Sequence, residues 1–474
     1  MSSDLFSRYL TQNFPFQPTI HQQKFFQRIS EYVIDNRNNS LFLLTGYAGT
    51  GKTTVISTLV NGLPEINMKA VLMAPTGRAA KVMSSYSGRM AYTIHRKIYH
   101  PRKKPDGGVV FTLQQNKHKN TLFIVDESSM IADSSTDTGG YQSGSLLNDL
   151  MRYVASGTGC KLLLVGDTAQ LPPVGLPHSP ALDPDYLQLH FQTEIMNVCL
   201  EEVMRQEANS GILHNATIIR TQIEEEFFPA VKFNLHGFKD IVRLKDGFDI
   251  QEAIQQAYSQ FGTEETSIVV RTNKKANKYN EQIRARILFK ENQISTGDLL
   301  MVVKNNYFWL EEKEEAGFIA NGDIVEVLEI YKYHQLYGFS FVRIKVRMID
   351  YPEQKPFETV IMLDTLNMDT PALSYEASQK LFQEVLLDYA EEGPRYKQIA
   401  KVKENEFFNA LQVKFAYAVT CHKAQGGQWS VVFVDQPYLP NGIDLEYLRW
   451  LYTAITRAKE KVYLLGFEDD YFEN

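Results

Sequence analysis

Gly46-Tyr47-Ala48-Gly49-Thr50-Gly51-Lys52-Thr53 fits the pattern G-x-x-x-x-G-K-[ST], and it decides how the sequence around it is read. In such a loop the glycines let backbone N–H groups turn inward around the β- and γ-phosphates of a nucleotide. The lysine, here Lys52, supplies a point charge, and the hydroxyl of Thr53 can ligate Mg²⁺. Thr54 follows in the first turn of a helix whose N-terminus faces the phosphates. Upstream, the apolar run Leu41–Thr45 breaks at Gly46, so the loop sits between a buried strand and a helix. An ordinary glycine turn is the alternative, and the strand–loop–helix context argues against it.

Working outward, the runs Ala70–Ala74, Thr121–Val125 and Lys161–Val165 are also short and apolar, with helix-like segments between them. Strands alternating with helices predict a parallel sheet covered on both faces. Residues 1–37 read as helical, with Phe25, Phe26, Ile29 and Val33 at helical spacing. Asp126-Glu127 ends one strand. Beside a phosphate loop, a carboxylate there reaches the Mg²⁺, and Glu127 is placed to orient or deprotonate an attacking water; the bland reading is an acidic pair capping the next helix. Gln170, after the strand Lys161–Val165, is a candidate sensor of the γ-phosphate. Arg205 and Arg457 are candidates for the guanidinium that meets the transition-state charge, although a lone arginine on a helix is usually a surface residue.

The second half repeats the theme in Ser267–Arg271, Val413–Val419, Ser430–Asp435 and Lys461–Leu465. Between them, Val325–Leu328, Phe341–Val346 and Thr359–Leu363 alternate or are β-branched, which predicts a small antiparallel insertion followed by helix near Ala377–Lys403. Asp133–Ser145, polar and glycine-containing, reads as a mobile loop.

The chain has 474 residues, 44% of them hydrophobic, long enough for about three folding units. No basic and apolar leader opens it and no stretch is long enough for a membrane span, so a cytoplasmic protein without membrane partners is expected. Cys160, Cys199 and Cys421 are too scattered for a disulfide framework or a zinc site. The net charge of −7 excludes a general nucleic-acid coat but permits a local basic track. Arg96, Lys97, Arg102, Lys103 and Lys104 form such a cluster, or a solvated loop.

The order of these pieces resembles a superfamily 1 helicase, of the 5′→3′ branch that includes RecD-like and Dda-like enzymes. The resemblance runs from about Gln17 to Gly466, apart from the insertion. Thr19-Ile20-His21-Gln22 resembles the adenine-reading motif, with Gln22 as reader, and Gly46–Thr53 is similar to motif I. Ala74-Pro75-Thr76-Gly77-Arg78-Ala79-Ala80 resembles motif Ia and Thr93-Ile94-His95 the small motif after it. Asp126–Met130, Gly166–Val174, Val203-Met204-Arg205-Gln206, Val419–Gly426 and Tyr452–Ala458 resemble motifs II to VI.

The resemblance implies an α/β fold. Two tandem RecA-like P-loop NTPase domains are expected, with a β-hairpin insertion in the first and an SH3-like β insertion in the second. The implied bounds are 1–190 for the first domain (hairpin within 96–120), 191–324 with 409–474 for the second, and 325–408 for the accessory part. ATP and Mg²⁺ would bind between the domains, held by Gln22, Gly46, Ala48, Gly49, Thr50, Gly51, Lys52, Thr53 and Thr54, with Thr53 and Asp126 on the metal. Lys52, Asp126, Glu127, Gln170, Arg205 and Arg457 would carry catalysis.

By the same resemblance Pro75, Thr76, His95, Thr420 and His422 line a single-strand groove. Hydroxyls and backbone N–H groups suit phosphates without reading sequence, although the same residue types are often helix caps and satisfied core histidines. Within Arg96–Asn120, Asp106-Gly107-Gly108 is a hairpin turn, and Phe111 is its candidate wedge at the junction of single and double strand. Opening a duplex step costs about 1.4 kcal/mol, within reach of the roughly 1–3 kcal/mol a stacked aromatic offers. The expected partner is single-stranded DNA with its duplex junction, engaged by a monomeric motor, with single-strand-binding or repair proteins as further candidates in DNA repair or recombination. Rival readings are a single-strand translocase subunit of a nuclease complex, an RNA helicase, and a P-loop switch ATPase indifferent to nucleic acid.

Overall fold

The structure is a computed structural model that describes all residues except 36–38, 104–108, 134–144, 205–208, 229, 311–316 and 474. The run before the glycine loop forms the strand Ser40–Gly46, fifth of six in an all-parallel sheet. The spatial order is Ala91–Thr93, Lys69–Ala74, Lys119–Val125, Thr158–Gly166, Ser40–Gly46, Glu194–Leu200. Leu41 and Leu43 face one core, with Ile98, Phe123 and Leu150. Phe42 and Leu44 face the other, with Phe25, Phe26 and Leu59 from the helices Ile20–Ile34 and Lys52–Gly62. Burial on both faces is why this strand reads as an unbroken apolar run.

The last strand of that sheet carries the first unit beyond residue 190, to Leu200. Its signal is weak in sequence because it is an edge strand. Met196, Val198 and Leu200 are buried while Glu194 and Asn197 are exposed.

A second all-parallel sheet has the order Ala418–Thr420, Thr266–Val270, Trp429–Asp435, Ala458–Leu465, Ile241–Leu244. A closed five-stranded barrel is inserted in it, built from Leu299–Val302, Ile324–Leu336, Phe339–Met348, Phe357–Met362 and Leu411–Phe415. Two helices, Tyr375–Leu387 and Arg395–Glu404, precede its last strand.

The barrel therefore takes strands from outside the expected span 325–408. The expected strand Val413–Val419 is two strands, one closing the barrel and one starting the parallel sheet. The chain crosses over at Ala416-Tyr417, where Ala416 N–H donates to Leu299 and the Tyr417 carbonyl accepts from Ile268 N–H. Both residues are buried, so hydropathy shows no break. The segment Tyr99–Lys103 pairs antiparallel with Val109–Leu113, Tyr99 opposite Leu113. The turn at 104–108 lies outside the described residues, as does 134–144 of the expected loop Asp133–Ser145.

The barrel docks on the first unit through a buried acid. Asp323 Oδ2 accepts from Ala320 N–H at 2.7 Å, while Oδ1 has no hydrogen-bond partner among the described residues and lies against Gly77, at the start of the helix Gly77–Ser87. Burial, then the Asp350 charge, pushes Asp323 well above the ordinary aspartate value of 3.8. The other groups facing this junction are Lys81, 3.7 Å from Asp350, the Arg78 guanidinium and the Tyr351 hydroxyl. A folded value above the unfolded one means the contribution is full below 3.8 and is lost as pH rises toward the folded value. Asp323→Asn is therefore expected to raise the unfolding midpoint at neutral pH, with the gap closing as pH falls toward 4. Denaturation curves across that range check it.

Candidate active site

The loop Gly46–Gly51 leads into the helix Lys52–Gly62. Gly51 takes φ +82° at its start, and a Cβ there would lie 2.7 Å from Gln22 Nε2, so only glycine fits. Lys52 Nζ donates to the carbonyls of Gly46 (2.7 Å) and Tyr47 (2.8 Å). A cavity of about 1010 Å³ opens over the loop. It is lined by Ala48, Gly49, Gly51, Lys52, Thr53 and Thr54, by Asp126, Glu127 and Gln170, and from the other side by Arg457.

Asp126 is held by two donors, Tyr86 Oη to Oδ2 and Glu127 N–H to Oδ1, both at 2.8 Å. Burial, then the Glu127 charge, raises its pKa, opposed by those hydrogen bonds and by Lys52. Glu127 sits at φ 52°, ψ 37°, the left-handed region. A non-glycine residue there stores about 1–3 kcal/mol, and the strain sets the carboxylate into the cavity at the end of the strand Lys119–Val125. The available donors, the Thr53 hydroxyl and the Asp126 carboxylate, are hard oxygens. That set fits Mg²⁺, whose charge would offset the repulsion between Asp126 and Glu127.

Groups from both sheets meet here. Arg457, 3% exposed, lies between the helix Leu445–Ile455 and the strand Ala458–Leu465 of the second sheet. Its Nη1 lies 3.5 Å from Glu127 Oε1, and its Nε donates to the Thr453 carbonyl at 3.2 Å. The Gln170 amide bridges the pair when assigned with its nitrogen toward Glu127 Oε2 (3.3 Å) and its oxygen toward Arg457 Nη2 (3.0 Å). Tyr452 Oη accepts from Ala48 N–H (2.8 Å) and donates to Asp167 (2.7 Å). Thr453 Oγ1 accepts from Leu171 N–H at 2.9 Å, and Gln425 Nε2 donates to the Leu171 carbonyl at 2.7 Å. Sequence reasoning quoted Tyr452, Thr453 and Gln425 inside motifs without giving them a site role. Helical spacing places Tyr452 and Thr453 beside Thr456 and Arg457 and was the usable signal.

Gln22 does not line the cavity. It is fully buried, its Nε2 donating to the Thr50 carbonyl at 3.0 Å and its Oε1 accepting from Thr19 N–H at 3.0 Å, so here it braces the loop. Met204 N–H reaches the Gly49 carbonyl at 3.0 Å, but Arg205 lies outside the described residues.

Pro75 and Thr76 follow the strand Lys69–Ala74, His95 follows Ala91–Thr93, Thr420 ends the strand Ala418–Thr420 and His422 comes just after it. All five thus sit at carboxyl ends of parallel strands, where ligands bind such sheets. Thr76 Oγ1 caps its helix through Ala79 N–H (3.2 Å), whereas the Thr420 side chain makes no cap bond. Burial lowers His95 to about 4 and also lowers His422, so both rings are neutral near pH 7 and offer N–H donors rather than charge. Lys423, which the sequence reading passed over, has a buried Nζ with no hydrogen-bond partner among the described residues. Burial, then Lys414, brings it down to about 8.

Phe111 corrects the wedge expectation. Its ring is 5% exposed, packed 4.4 Å from Tyr307 and in one core with Ile98 and Tyr99. The strand Val109–Leu113 carries this aromatic into that core.

Two family models match the chain, the AAA domain over residues 30–176 and the UvrD-like helicase C-terminal domain over 415–465. The first holds the phosphate loop, Asp126, Glu127 and Gln170; the second holds Gln425 and Arg457. Together these matches support the resemblance to superfamily 1B helicases. The ATP-dependent DNA helicase dda of Enterobacteria phage T4 is 24% identical over 447 residues, 89% of this chain and 93% of the phage protein. The ATP-dependent RecD2 DNA helicase of Deinococcus radiodurans is 33% identical over 178 residues, 37% of this chain and 21% of that one. An uncharacterized protein of Methanocaldococcus jannaschii is 24% identical over 509 residues, 93% of this chain. The chain spans 38% of that archaeal protein's length. Among the described residues no helix is long and apolar enough to cross a membrane.

Proposed function

We propose that the chain is an ATP-dependent DNA helicase that moves 5′→3′ on single-stranded DNA and unwinds duplex at the junction. The supporting observation is the meeting of Arg457 with Glu127 and Gln170 over the phosphate loop, because it makes the cavity a site completed by both sheets. Hydrolysis there is coupled to opening and closing of the two units, since the charge constellation exists only when they are together. One chain supplies both halves, so a monomer has a complete site.

In this reading the backbone N–H groups of Gly46–Thr54 and the Lys52 ammonium hold the β- and γ-phosphates. Thr53 and Asp126 hold Mg²⁺, which supplies charge neutralisation at the phosphates when bound. Glu127 orients the water and takes its proton, Gln170 contacts the γ-phosphate, and Arg457, with Arg205, stabilises the charge that develops. Pro75, Thr76, His95, Thr420 and His422 hold DNA phosphates along the carboxyl edges of both sheets. DNA repair and recombination are the processes such a motor serves.

The test is strand displacement on duplexes carrying a 5′ or a 3′ single-stranded tail. Opening of the 5′-tailed duplex alone is expected. DNA-stimulated hydrolysis without opening favours a translocase subunit, and preference for RNA tails favours an RNA helicase.

A further inference from the structure

Tyr86 belongs to none of the sequence motifs, yet it donates to Asp126 Oδ2 at 2.8 Å. It lies in the last turn of the helix Gly77–Ser87, whose carbonyl at Tyr86 also accepts from Ser57 Oγ (3.2 Å) on the helix that follows the phosphate loop. The opposite end of the same helix is clasped by the other parts of the molecule. Arg78 lies over the Trp429 ring at 4.0 Å and its Nη2 reaches the Gln428 carbonyl at 3.5 Å. A Cβ on Gly426 would come within 2.8 Å of Ala79 Cβ, and Lys81 Nζ donates to the Ile349 carbonyl, after the barrel strand, at 2.9 Å. Thr76, a candidate phosphate contact, caps the helix.

Eleven residues span only about 15 Å. A helix that short, packed along its length, moves as a rigid body. Displacing the Thr76–Lys81 end by strand binding or by closure of the sheets therefore shifts the Tyr86 hydroxyl, one of two donors that fix the Asp126 carboxylate.

We propose that Tyr86 is a positioning residue that relays groove occupancy and cleft closure to Asp126, so that DNA stimulates hydrolysis through this helix. The inference rests on the function proposed above. Removing a hydrogen-bond partner of a metal-holding group typically costs about 10–100-fold in metal affinity or activity.

The test is Tyr86→Phe, which keeps the ring and its packing. Mn²⁺ binding is read by electron paramagnetic resonance on the full chain with a non-hydrolysable ATP analogue, and the ratio of DNA-stimulated to basal kcat is measured beside it. The Mn²⁺ dissociation constant is expected to rise about tenfold. The stimulation ratio is expected to fall about fivefold or more, with the unfolding midpoint unchanged. An unchanged ratio or an unchanged Mn²⁺ affinity overturns the relay. A wild-type chain that hydrolyses ATP indifferently to DNA overturns the helicase reading instead, so the two failures are distinct.

Discussion

Arg457→Ala is expected to lower ATP turnover by about 10³-fold or more, the scale of a guanidinium acting on phosphoryl-transfer charge. Nucleotide binding should weaken far less. Arg457 lies on the opposite side of the cavity from the phosphate loop, and its Nη1 already stands 3.5 Å from Glu127 Oε1. It is almost fully buried, so its charge acts with little screening from water. The Ala variant also gives up hydrogen bonds to the carbonyls of Thr453 and Gly427, so Arg457→Lys is the companion. Lysine keeps the charge but not the planar fork, and most of the loss should persist. Steady-state hydrolysis beside a fluorescent-nucleotide titration separates the two effects. Turnover within tenfold of wild type in both variants would remove Arg457 from the chemistry.

Glu127→Gln should lower turnover by about 10²–10⁴-fold, the usual contribution of a positioned general base, while ATP and Mg²⁺ still bind. Glutamine is nearly isosteric, so the left-handed turn at 127 and its N–H bond to Asp126 can be kept. The Glu127 charge is also one reason the Asp126 carboxyl is pushed upward. Removing it relieves that repulsion but also takes a negative charge from beside the metal, so Mg²⁺ held by Thr53 and Asp126 is expected to bind with little change. Single-turnover hydrolysis with pre-bound nucleotide reads the chemical step directly. A variant that fails to bind Mg²⁺ instead would assign Glu127 to the metal.

The nucleotide half of the site was legible because its chemistry is local. Eight consecutive residues specify the phosphate loop, and Asp126-Glu127 and Gln170 follow strands whose double-sided burial makes them stand out as apolar runs. The parallel sheets followed from the same runs. What escaped were features set by distant packing. The edge strand Glu194–Leu200 is interrupted by the exposed Asn197 and buried along one side only, so the first sheet extended past residue 190 unnoticed. The barrel borrows Leu299–Val302 and Leu411–Phe415 from the span expected of the second domain, and the crossover at Tyr417 is buried without a turn residue to mark it. Phe111 and Gln22 were placed by motif position, but a side chain's direction depends on its neighbours. Tyr307 draws one inward, and Thr50 holds the other under the loop. Tyr86 carried no signal, because its partner Asp126 is forty residues away.

The central claim is that one nucleotide site, completed by both sheets, drives movement on DNA. Its most direct test is Mg²⁺-dependent ATP hydrolysis by the purified chain, with and without single-stranded DNA, beside Lys52→Ala. Strong stimulation by DNA in the wild type and loss of hydrolysis in Lys52→Ala are the predicted result. Hydrolysis that is indifferent to DNA, or that survives removal of the Lys52 ammonium, would contradict it.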